Sequence, residues 1–139
     1  MQVRIRLDAV VFTDGDVSVS LPPELQLGPL TRSWTRGEHR RIRGVGKVDG
    51  NTAETDGCVI ELFRRHTLPA DAPARKIEYL AAFFRYGLEL LIERYAFRVR
   101  PLVTAYVAAE VDEALAGFAF AIIEQALLDA GVKHVEFSD

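Results

Sequence analysis

Cysteine is almost absent. Cys58 is the only one in 139 residues, which excludes an internal disulfide framework and any metal site built from several thiolates. A lone thiol also suits a reducing, cytoplasmic setting. Long apolar runs are missing too. The most hydrophobic stretch, Val111–Leu128, carries Asp112, Glu113, Glu124 and Gln125, whereas a helix spanning lipid needs about 20 mostly apolar residues. No membrane contact is expected. The start, MQVRIRLDAVVF, has no basic segment leading into an apolar core and a small-residue cleavage site, so no signal peptide is expected.

Histidine is scarce. His39, His66 and His134 show neither HxH nor HExxH spacing, and GxSxG is absent. RGVGKVDGNT lacks the spacing of a phosphate loop, with Val48 after Lys47 where a hydroxyl is required. DGNTAETDG sets Ala53 and Glu54 where a calcium loop needs a ligand and a glycine. No cofactor and no metal are therefore expected.

What remains is an ordinary globular balance, 49% hydrophobic and 27% charged, enough for a single domain over 1–139. The charge is uneven. Residues 31–47, TRSWTRGEHRRIRGVGK, hold six Lys/Arg against Glu38, a local +5. Residues 101–139 hold one Lys against seven acids, a local −6. Such polarity steers a polyanion to one face or pairs opposite ends of neighbouring subunits.

Residues 2–9 alternate apolar and polar, as a strand with one wet face does. The apolar run reaches Phe12, Asp14-Gly15 supplies a hairpin turn, and Val17–Leu21 returns. Pro22-Pro23 closes that strand. LGPL reads as a turn. From Arg40 to Val48 alternation resumes, with Arg41, Arg43, Val45 and Lys47 on one face. Cys58–Arg65 reads as its partner strand, setting Glu61 opposite the arginines. Asp71 and Pro73 suit a helix start. Ile77, Leu80, Phe84, Leu88, Leu91 and Tyr95 then mark one helical stripe, with Gly87 inside it as a mild penalty or a close-packing point. FRVRPLVTAYVAA reads as a strand, with Pro101 marking either an edge position or a start just after it; a second helix runs from about Val111 to Ala130 and stops at Gly131, and VKHVEF is a last short strand. The expected fold is α+β: a mostly antiparallel sheet built from an N-terminal hairpin and further strands, with two helices of the C-terminal half on one face. The expected order is four or five strands, helix, strand, helix, strand.

The second helix is apolar nearly all round. On a helical wheel Phe120 projects beside Asp112 and Glu113, a side that a helix resting on one sheet has no need to make apolar, so it is either covered by the first helix or buried against another subunit. Phe118, Phe120 and Ile123 are the candidate oligomer interface, so the leading expectation is a non-enzymatic assembly or binding subunit, a homo-oligomer or part of a larger assembly. Arg32, Trp34, Arg36, Arg40, Arg41, Arg43 and Lys47 are candidate contacts for a polyanion or an acidic protein. Strand arginines beside an aromatic are a common grip for single-stranded nucleic acid, with Trp34 stacking on a base. Against this, the sequence pI of 5.6 is low for a dedicated nucleic-acid binder. A third expectation is a small enzyme or small-molecule binder whose site gathers His39, His66, Arg41 and Arg43.

Overall fold

The computed structural model describes residues 1–33, 37–46, 58–63, 75–92 and 100–139. The chain runs through β1 (Gln2–Ile5), β2 (Val10–Asp14), β3 (Val17–Leu21), β4 (Glu24–Ser33), β5 (Gly37–Val45), β6 (Cys58–Glu61), α1 (Lys76–Ile92), β7 (Leu102–Val107), α2 (Ala109–Ala114), α3 (Ala119–Asp129) and β8 (His134–Ser138). This is the expected α+β architecture. Its strands form two sheets among the described residues, one of five strands in the order β3-β2-β1-β7-β8 and one of three in the order β5-β4-β6. Antiparallel pairing dominates, but β1–β7 and β7–β8 are parallel.

The alternation at the N-terminus spans two strands, not one. Arg6–Ala9 form a tight loop closed by the Arg6 N–H donating to the Ala9 carbonyl at 3.0 Å, which sets Ile5 against Val10. The following hairpin turns at Gly15-Asp16, as Asp14 pairs with Val17. Gly15 adopts φ +59°, the left-handed conformation a two-residue turn demands. With this register Val3, Ile5, Val10, Phe12, Val103, Ala105 and Val135 share the inner face and are all buried. Gln2, Arg4, Tyr106, His134 and Glu136 share the outer face.

Among the described residues the helices pack on the inner face. α1 buries Tyr79, Leu80, Phe83, Phe84, Leu88 and Leu91 and leaves Glu78, Arg85 and Glu89 in water, as an amphipathic stripe should. Gly87 lets α1 approach the sheet closely, because a Cβ there would fall 2.3 Å from the Phe12 ring. Asp71, Pro73 and Tyr95 lie outside the described residues. α1 also packs along α3, and Arg85 Nη2 donates to the Asp129 carbonyl at 2.8 Å. A cation there suits the negative end of α3.

Three sequence expectations need correction in the smaller sheet. LGPL is not a turn: it lies inside the ten-residue β4, whose register against β5 slips between Gln26 and Leu27 and again between Leu27 and Leu30. Pro29 has no N–H for a ladder, and a bulge is where a strand accommodates that. The slip also breaks the simple alternation of β5, so Ile42 and Val45 both pack on the core. Finally, β6 pairs with β4 rather than β5. In that register Glu61 stands opposite Glu24.

Candidate functional site

Among the described residues the acidic C-terminal region holds the left-handed non-glycine residue, Ala116. The second helix breaks into α2 and α3. At the break the Ala116 N–H donates to the Glu113 carbonyl at 3.1 Å and the Gly117 N–H to the Asp112 carbonyl at 2.8 Å. Those two bonds define a Schellman stop, whose first residue past the cap is left-handed and is usually glycine. Here it is Ala116, at φ +55°, followed by Gly117 at +82°. The end of α3 makes the same motif with the preferred residue: the Gly131 N–H donates to the Leu128 carbonyl at 3.0 Å, the Val132 N–H to the Leu127 carbonyl at 3.1 Å, and Gly131 sits at φ +108°. A left-handed alanine costs roughly 1–2 kcal/mol. Asp112 steadies the turn by accepting from the Ala119 N–H at 3.3 Å.

The turn raises two phenyl rings into solvent. Phe118 is 65% exposed and Phe120 50%. Phe120 still leans edge-on against Phe137 of β8, with ring centroids 4.8 Å apart. Ile123, grouped with them on the sequence, is fully buried, so the break splits the expected trio. Acids rim the corner: Asp112 and Glu113 precede the turn, and Glu124 lies one helical turn beyond Phe120.

The basic segment is only partly described. Trp34, Arg36 and Lys47 lie outside the described residues. Arg32 belongs to β4 and pairs with Glu38, and His39 belongs to β5 and pairs with Thr31. Arg40 Nη1 donates to the Gly28 carbonyl at 3.2 Å. Arg43 lies over the same glycine, since a Cβ on Gly28 would come within 2.9 Å of its Nε. Both guanidinium groups thus converge on the β4 bulge, while Arg41 projects into solvent. His66 lies outside the described residues, so no meeting of His39 and His66 is on view. His134 lies 3.7 Å from Glu136 on β8, both exposed. Among the described residues no three His, Cys, Asp or Glu side chains gather as a metal site would require. Among those residues, too, no helix is long and apolar enough to cross a membrane.

A second constellation escaped sequence reasoning. The parallel register aligns Arg4 with Tyr106 and Tyr106 with Ser138, one row across β1, β7 and β8 on the outer face. Arg4 lies over the Tyr106 ring, 4.4 Å from its centroid, close enough for a cation–π contact. Alternation had already placed Arg4 and Tyr106 on polar strand faces. What the sequence lacks is any local mark that β1 and β7 are neighbours. Comparison with known protein families, curated proteins and solved structures finds no match to this chain.

Proposed function

We propose that the chain is a non-enzymatic assembly subunit, working in the cytoplasm, whose Phe118–Phe120 corner docks onto the basic segment 31–47 of a second copy. The observation that carries this reading is the exposed aromatic pair raised on a strained turn. Burying one such ring fully is worth roughly 1.5–3 kcal/mol, and Phe118, 65% exposed, leaves most of that gain to be realised. Charge supports a head-to-tail contact. A two-fold contact of corner on corner would set Asp112, Glu113 and Glu124 against their own copies, whereas segment 31–47 carries the opposite sign.

Light scattering over a micromolar concentration series tests this. The expected result is a mass above that of the monomer in low salt, falling in about 1 M salt as the Debye length shrinks to roughly 3 Å. Phe118→Ser with Phe120→Ser should return the monomer at every concentration. A wild-type chain that stays monomeric throughout, or that associates equally in high salt, would overturn the reading.

A further inference from the structure

We propose that the notch between the carboxyl ends of β1 and β7 is a binding site for a phosphate group. The notch exists because the chain leaves those two adjacent parallel strands in opposite directions. From Ile5 it turns back into β2 on one side, and from Val107 it passes into α2 towards β8 on the other. Diverging connections leave a crevice between them, which is why open sheets with parallel strands bind ligands at such switch points. The resulting hollow holds about 210 Å³ and is lined by Arg4, Arg6, Tyr106, Ala108, Ser138 and Asp139, among others.

Its chemistry selects the ligand. Arg4 belongs to β1, Arg6 opens the tight loop that follows it, and both line the hollow. Both are exposed, and among the described residues neither makes an ion pair. The Tyr106 ring holds Arg4 in place, so less of its freedom is lost on binding. Two guanidinium forks match a dianion with several oxygens better than a carboxylate with one charge and two oxygens. Ser138, next to Tyr106 in the row, adds a hydroxyl donor. The Asp139 carboxylate on the same rim opposes an anion and sets the sign of one variant.

The probes are inorganic phosphate and phenyl phosphate, titrated at constant ionic strength and followed by backbone amide NMR. Saturable shifts confined to residues 4–6, 106–108 and 138–139 are expected. Arg4→Gln and Arg6→Gln should each weaken binding about tenfold or more, the loss expected for one hydrogen bond to a charged group, and Asp139→Asn should strengthen it. Tighter phenyl phosphate would assign the site to organic esters, and equal affinities to the free ion. Shifts that never saturate, or that persist unchanged in both arginine variants with native spectra, would overturn the proposal. The test is independent of self-association, because the Phe118→Ser, Phe120→Ser variant keeps every lining residue of the notch.

Discussion

Replacing Gly87 by alanine sets two known effects against each other. Alanine is the better helix former by about 0.8–1.0 kcal/mol, and Gly87 lies well inside α1, so an unobstructed site would gain that amount. The site is obstructed. The new Cβ would stand 2.3 Å from both Cε2 and Cζ of Phe12 and 2.8 Å from Cδ2, where carbon atoms prefer about 3.5–4.0 Å. Something must move by more than an ångström. Phe12 has little room to do so: it is fully buried and held by Phe83 and Phe84, with ring centroids 6.1 and 6.4 Å away. Overpacking of this kind costs about 1–3 kcal/mol, and the size of the overlap favours the upper end. The expected balance is a loss of about 1–2 kcal/mol, read as a lower urea midpoint by circular dichroism at unchanged slope. Phe12→Leu should relieve the overlap, so the double variant should be more stable than the two single effects predict, by about 1 kcal/mol or more. A Gly87→Ala protein more stable than the parent, or a strictly additive double variant, would refute the close approach.

The two Schellman turns make a matched pair. Ala116→Gly should stabilise the chain by about 0.5–1 kcal/mol, because the left-handed penalty outweighs the extra freedom of glycine in the unfolded state, while Gly131→Ala should destabilise it by about 1 kcal/mol; urea unfolding of both reads the signs directly. Arg40→Ala should cost about 1 kcal/mol or more through its lost bond to the Gly28 carbonyl, whereas Arg41→Ala, in solvent, should stay within about 0.5 kcal/mol of the parent. Equal effects at Arg40 and Arg41 would remove the structural role assigned to Arg40.

Local chemistry made some of the fold legible. Asp14-Gly15 announced a hairpin, Gly131 a helix stop, and the stripe from Ile77 to Leu91 a helix, whereas Pro101 left open an edge position or a strand start, and β7 begins at Leu102 inside the sheet. Each is a signal carried within a few residues. The failures share a cause as well. Between Arg6 and Ala9 the loop contains neither glycine nor proline, so period two ran through it unbroken. Gly28-Pro29 resembled a turn because a bulge in a strand uses the same residues. The break at Ala116 escaped because apolar residues continue on both sides and alanine is a poor marker of left-handed backbone. Once the helix breaks, the wheel that set Phe120 beside Asp112 no longer applies, and Ile123 passes to the core. The row Arg4–Tyr106–Ser138 was beyond local reading altogether, since it depends on pairing between strands far apart in the chain.

The notch and the aromatic corner both arise at one end of the parallel strands, and the two ends differ in how their backbone is tied. At the amino ends the Thr104 N–H donates to the Met1 carbonyl at 3.0 Å and the Lys133 N–H to the Pro101 carbonyl at 2.9 Å, knitting the starts of β1, β7 and β8 together. At the carboxyl ends one comparable tie, from the Ala108 N–H to the Ile5 carbonyl at 3.0 Å, precedes the divergence. Beyond it β1 turns away, and α2 lasts only six residues before Ala116 redirects the chain. α3 then returns to β8, whose last residues point alternately to the two faces: Phe137 inward against Phe120, Ser138 outward to the notch. The pleat therefore sets the side chains that reach the notch and the aromatic corner, Ser138 and Phe137, on opposite sides of one strand end.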